Sequence, residues 1–188
     1  MWDDHEVTND WDKTTPANSV AWGKKAFFDY FPFPKGTTEM YRTIKWGAGV
    51  EIWLLDCRAY RDANAVPSVP TKTMLGATQK AWLKSSLLAS TATFKILCSS
   101  IPVRWGKMGI DDWTGFVSER EEIFDFIVKN KVHNVVILSA DSHVISVHNH
   151  REGVREYQCG PAAAAARPQV PARPAARVRA SARTSLDR

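Results

Sequence analysis

Asp3, Asp4, His5, Glu6, Asn9 and Asp10 fall within eight residues, with Trp2 on one side and Trp11 on the other. Carboxylate oxygens hold hard cations, and a histidine among them can give a proton to a leaving group. A metal or phosphoester site would use this set. An acidic turn whose aspartates cap a helix would use it too. A second set lies far downstream. Residues 134–140 form a short apolar, β-branched run that enters Asp141-Ser142-His143, with His148 and His150 a few residues on. An Asp-x-His loop sends one oxygen and one nitrogen toward the same point, and open α/β sheets place their chemistry at such strand ends. The bland reading is a hydrogen-bonded pair closing a turn. His148 and His150 lie beyond the loop on what reads as the next strand, which makes them surface or supporting residues.

The elements that must carry these residues alternate. Residues 21–31 have helical spacing and end before Pro32 and Pro34. Residues 43–46 and 50–55 read as a hairpin about Gly47-Ala48-Gly49. Residues 78–90 form an amphipathic helix with Trp82, Leu83, Leu87 and Leu88 as its core stripe, and 94–99 a buried strand. A second helix spans 118–129, capped by Ser118, with Ile123, Phe126 and Ile127 inward. Strands at 134–140, 144–148 and 154–158 complete a mixed α/β pattern with no repeat. Arg58 and Arg61 follow directly on the strand that ends in Asp56. Arg58 could present its planar fork to a phosphate, or pair with Asp56, Asp62 or Glu51.

Composition excludes several classes. No uninterrupted apolar stretch is long enough to span a membrane, and no basic-then-apolar leader is visible. The three cysteines, Cys57, Cys98 and Cys159, have neither zinc nor disulfide spacing. Cys57 and Cys98 read as packing residues. There is no phosphate-binding loop, no dinucleotide fingerprint and no nucleophile elbow. The net charge of +5 is not spread evenly. Residues 162–188 hold six arginines and one acid, a surplus that equals the charge of the whole chain. Residues 1–161 are therefore formally neutral, and the basic pI gives no ground for a specific nucleic-acid partner. The Ala/Pro/Arg-rich segment 162–188 reads as a disordered tail or a polybasic arm. A shifted frame in a GC-rich gene would give the same composition.

Trp2-Asp3-Asp4-His5-Glu6, Leu54-Leu55-Asp56-Cys57-Arg58-Ala59-Tyr60-Arg61-Asp62 and Leu138-Ser139-Ala140-Asp141-Ser142-His143 occur in that order. Gly76-Ala77-Thr78-Gln79-Lys80-Ala81-Trp82-Leu83 and Asp112-Trp113-Thr114-Gly115-Phe116 support them. Together they resemble the PhoD-type alkaline phosphatases, a branch of the calcineurin-like metallophosphoesterases, over residues 1–161. The resemblance implies a two-sheet α/β/β/α sandwich and hydrolysis of small phosphomono- or diesters, with iron and calcium as metals. It implies Asp4, Asp141 and His143 as metal ligands, with Asp3 as the alternative to Asp4, and His5 as the catalytic histidine. Glu6 and Asn9 become ligands or supports of His5, and Arg58 a phosphate contact. It also implies export to the periplasm or cell envelope.

Two departures stand beside the matches. The family's earlier Asp-bearing segments have no counterpart here, so the chain resembles the carboxy-terminal part of a catalytic domain. The superfamily histidine expected near 96–102 is missing, as it is in PhoD-type members. A non-catalytic relic, or a half-site completed by another segment, is therefore the competing reading. Missing strands would leave a sheet edge exposed and favour self-association.

Overall fold

The computed structural model describes residues 1–34, 36–104 and 110–160. The expected tail at 162–188 lies outside the described residues. Six strands form one mixed sheet: β1 (Arg42–Trp46), β2 (Val50–Leu54), β3 (Phe94–Cys98), β4 (Val135–Ser139), β5 (Ser146–Asn149) and β6 (Arg155–Gln158), in the order β1-β2-β3-β4-β6-β5. The pairs β2–β3, β3–β4 and β4–β6 are parallel, and β1 and β5 join antiparallel at the two edges. The carboxyl ends of β2, β3 and β4 thus lie side by side, which brings Asp56 and Asp141 to one rim of the sheet. A mixed α/β fold is what the alternation predicts. The described residues supply one sheet of the two that the resemblance implies.

The hairpin turns at Gly47, whose φ of 68° is left-handed and suits glycine. Three helices accompany the sheet: α1 (Ala17–Tyr30), α2 (Gly76–Ala89) and α3 (Val117–Lys129). Helix α2 begins two residues earlier than its apolar spacing predicts, because the Gly76 N–H donates to Thr73 Oγ1 at 2.8 Å and closes the entry turn. Its buried stripe is Gln79, Leu83 and Leu87; Leu88 is 54% exposed, so it is not a core residue. Gln79 replaces it inside for a polar reason. The Asp56 N–H donates to Gln79 Oε1 at 2.8 Å, and Gln79 Nε2 donates back to the Asp56 carbonyl at 2.9 Å. A buried amide satisfied at both ends locks the end of β2 to the helix.

Ser118 does not cap α3. A 3-10 turn at Trp113–Phe116 precedes the helix, and Asp112 caps that turn by accepting the Thr114 N–H at 2.7 Å. Phe124, and not Phe126, is the buried aromatic of α3, beside Ile123 and Ile127. The main core lies between these helices and the sheet face carrying Trp53, Leu97 and Ile137. Each such side chain contributes about 1.5–3 kcal/mol on burial. A smaller core joins α1 to the amino-terminal segment through Trp2, Trp11, Phe27 and Met40, with Trp2 and Trp11 edge to face at 5.0 Å.

Candidate metal centre

Two tryptophans hang the amino-terminal acidic segment on the sheet rim. Trp2 Nε1 donates to Asp56 Oδ1 at 2.9 Å, and the same oxygen accepts the backbone N–H groups of Arg58 and Ala59 at 3.0 Å. Trp11 Nε1 donates to the Asp3 carbonyl at 3.0 Å. Between them the chain curls tightly. The Asp4 carbonyl accepts the N–H groups of Val7 and Thr8, both at 2.9 Å, and Asp4 Oδ2 accepts the Asp10 N–H at 3.0 Å. Glu6 closes the turn from outside by accepting the Asp3 N–H at 2.9 Å.

Asp141 arrives from the end of β4. Its φ of 69° and that of His143, 54°, are left-handed, a conformation that Asp tolerates better than most residues. The result is that carboxylate oxygens of Asp3, Asp4 and Asp141 lie within 4.8 Å of one another. The sequence leaves Asp3 and Asp4 as alternatives; the fold brings both to Asp141.

The electrostatics of this cluster favour a cation. Burial pushes the Asp3 carboxyl up to about 6 against the pull of Arg58, with Asp141 and Asp4 adding to the rise. Burial also pushes Asp141 up to about 6, again opposed by Arg58 and aided by Asp111, Asp4 and Asp10. Arg58 is the counter-charge within this group. Its Nε donates to Asp3 Oδ1 and its Nη1 to Asp111 Oδ1, each at 2.8 Å, and its side chain is fully buried. Burial works against the guanidinium charge, but Asp3 and Asp111 outweigh it and hold the group above its ordinary value. Arg61 lies 3.1 Å from the same Asp111 oxygen, and Asn64 Nδ2 donates to it at 2.9 Å. An all-oxygen donor set of this kind suits a hard cation.

His5 stands at the mouth, its side chain 78% exposed and its Nε2 4.0 Å from Asp4 Oδ1. Glu6 and Asn9 are exposed, and Glu6 braces the turn through the Asp3 N–H. His143 is exposed and is not brought into the carboxylate cluster. Arg58 forms an ion pair, but with Asp3 and Asp111 instead of the sequence-local acids. His148 is half-buried and bonds Ser146 at 2.9 Å. His150 is not a surface residue: its side chain is fully buried, bonded to Glu156 at 2.8 Å and stacked on Phe124. Cys57 is a buried packing residue whose thiol burial pushes up to about 11.

Sequence reading missed Asp111 and Asn64 as partners of the site, and singled out Arg61 beside Arg58 without its partner. Asp111 carried one signal, since it immediately precedes the Asp112-Trp113-Thr114 stretch.

Three comparisons bear on this geometry. A family model described as PhoD-like phosphatase matches residues 1–167. Alkaline phosphatase D of Bacillus subtilis (strain 168) is 31% identical over 175 residues, covering 76% of this chain and 30% of that protein. A solved structure described as that of PhoD matches with a TM-score of 0.74 and 27% identity, covering 85% of this chain and 39% of that one. The chain thus spans well under half the length of these two relatives. The ordered motifs, the shared fold and the family match over residues 1–167 place it in the PhoD-like phosphatase family.

Proposed function

We propose that this chain carries out metal-dependent hydrolysis of small phosphoesters, as an alkaline phosphatase of the D type acting on phosphomonoesters, phosphodiesters or both. The observation that carries this reading is the cluster of Asp3, Asp4 and Asp141 at the carboxyl rim of the sheet, with His5 open to solvent beside it. Asp4, Asp141 and Asp3 would hold the cation; His143, exposed on the loop that carries Asp141, would join them as a nitrogen ligand only if that loop turned inward. Iron and calcium are the metals that family membership suggests. A bound cation of this kind polarises a phosphate oxygen and makes water a better nucleophile.

The protein's own groups do the remaining work. His5 Nε2 holds a proton at the open side and delivers it to the departing alkoxide. Arg58 keeps Asp3 and Asp111 in place from behind and acts through them on the site. Glu6 and Asn9 support the turn that presents His5. Export to the cell envelope, the habit of the family, is part of the same proposal. No described helix is long and apolar enough to cross a membrane.

The test is hydrolysis of a chromogenic phosphomonoester and a phosphodiester with iron and calcium supplied, beside the His5→Ala variant. A loss of about 10²- to 10⁴-fold in kcat in the variant supports the proton-donor role. Equal rates in both proteins would sink it. A second reading rests on the 30% share of the Bacillus relative that this chain spans: a half-site, active only when another segment supplies further ligands. That reading predicts no turnover by the chain alone and turnover on adding the remainder of the relative.

A further inference from the structure

We propose that Asn64 is the positioning residue of the carboxylate cluster, holding the acidic amino-terminal turn against the sheet rim so that Asp3 and Asp4 meet Asp141. The proposal rests on the reading of that cluster as a cation site and adds the group that keeps its parts in place. Asn64 lies buried in the loop that follows β2, and its hydrogen bonds go to the residues around the cluster. Every polar group it has is engaged. Its backbone N–H donates to Asp12 Oδ2 at 2.6 Å, and its carbonyl accepts from Lys72 Nζ at 3.2 Å. Its Nδ2 donates to the Asp10 carbonyl and to Asp111 Oδ1, both at 2.9 Å, while its Oδ1 accepts from Arg61 Nη2 at 2.5 Å. A side-chain amide carries two donors on one arm and an acceptor on the other. Here the donor arm meets a carbonyl and a carboxylate, and the acceptor arm meets a guanidinium, so the partners fix its orientation. An aspartate would set an oxygen against two acceptors, and an aliphatic side chain would strip buried groups of their partner.

Asn64 is itself anchored to the core. Lys72 and Arg61, which hold its carbonyl and its Oδ1, both lie over the Phe116 ring, 4.1 and 5.2 Å from the centroid. Phe116 is a fully buried member of the main core. Lys72 also donates to the Val66 carbonyl at 2.6 Å, which fixes the loop on the far side of Asn64. From this anchor two routes run to the cluster. The first passes through Asp10. Asn64 holds the Asp10 carbonyl, while the Asp10 N–H donates to Asp4 Oδ2 at 3.0 Å. Asp10 has a left-handed φ of 53°, a conformation that persists in a residue with a side chain where contacts on both sides determine it. The second route passes through Asp111. Asn64, Arg61 and Arg58 converge on Asp111 Oδ1 at 2.9, 3.1 and 2.8 Å, and Arg58 Nε then reaches Asp3 Oδ1 at 2.8 Å. Asp3 and Asp4 are thus both tied to Asn64, whereas Asp141 arrives independently from β4. One buried amide therefore sets how the turn meets the strand end. Hydrogen bonds that orient cation ligands in this way govern affinity although they never touch the ion.

Calorimetric titration of the metal-free full chain with calcium, beside Asn64→Ala and Asn64→Asp, tests this, with thermal melting of each protein in parallel. The expected result is a roughly 10- to 100-fold loss of calcium affinity in Asn64→Ala, at a temperature where both proteins are folded. Asn64→Asp separates position from charge. Its added negative charge alone would draw calcium more tightly, whereas an oxygen facing the Asp10 carbonyl and Asp111 spreads the cluster, so weaker binding is expected. Unchanged affinity in Asn64→Ala, with only a lower melting temperature, would make Asn64 an ordinary loop brace and overturn the proposal. Tighter binding by Asn64→Asp would overturn it too. No binding by the parent chain would overturn the cation reading and the proposal with it, so the two failures are told apart by the parent titration. If neither variant folds, amide exchange in the parent chain decides. The Asp10 N–H is expected to exchange at least about tenfold more slowly than in an unstructured peptide, and exchange at the unstructured rate would overturn the proposal.

Discussion

One oxygen of Asp56 accepts the Trp2 indole N–H and two backbone N–H groups, while its own backbone is held by Gln79. The join between the acidic amino-terminal turn and the sheet rim therefore runs through a residue outside the Asp3, Asp4 and Asp141 cluster. A similar support stands behind Asp141. Glu156 on β6 is fully buried; one of its oxygens accepts from Ser139 Oγ at the end of β4 and from the Val103 N–H at 2.8 Å, and the other from His150 Nε2. Burial opposes the Glu156 charge, but these donors outweigh it and hold the carboxyl below its ordinary value of 4.5.

A carboxyl lowered by folding contributes stability that is present above its unfolded pKa and lost as pH falls through the folded value. Glu156→Gln is accordingly expected to cost about 2 kcal/mol at pH 7, with the gap to the parent chain closing below about pH 4.5. Urea titrations at pH 7 and pH 3.5 check this, and a constant gap would refute it. At this scale the acidic cluster and Asp141 were legible in the sequence, because crowded carboxylates and a strand-end Asp-x-His are unusual patterns. Asp111 and Glu156 were not, nor were the partners of Arg61 and His150, since these lie far away in sequence or in the packing of the sheet.

Helix α1 approaches the acidic turn so closely that position 23 admits only glycine. A Cβ there would stand 2.5 Å from the Glu6 carbonyl oxygen and 2.6 Å from Val7 Cγ2. Gly23→Val is expected to push residues 4–8 away from the rim, costing roughly 1–3 kcal/mol of stability. The same shift, a displacement of about 1 Å at His5, is expected to lower hydrolysis on the order of a hundredfold. Loss of stability with unchanged hydrolysis, measured by thermal melting and initial rates on the folded fraction, would mean that α1 does not position the turn. The elements themselves were largely legible. All six strands and all three helices lie within a few residues of their expected bounds. The misses have local causes: the Thr73–Gly76 entry turn for α2, the 3-10 turn for α3, and the exchange of Leu88 for Gln79, which polarity could not have suggested.

For the molecule as a whole, the net charge is segregated along the sequence. Residues 1–161 are neutral in sum, and the +5 resides in residues 162–188. Function therefore has to be sought in a local field, such as the rim where Asp3, Asp4 and Asp141 lie together and the buried Arg58 pairs with Asp3. Fold class and family were legible from ordered motifs alone. The exposure of Phe94 was not, because a run such as Phe94 to Cys98 reads as a buried strand throughout.

Calorimetric titration of the metal-free chain with calcium at pH 7.5, beside Asp141→Asn, tests the central claim most directly. The account predicts saturable binding by the parent chain and at least a tenfold loss of affinity in the variant, because one of three converging carboxylates is gone. Binding that is unchanged by Asp141→Asn, or no binding by the parent chain, would contradict it.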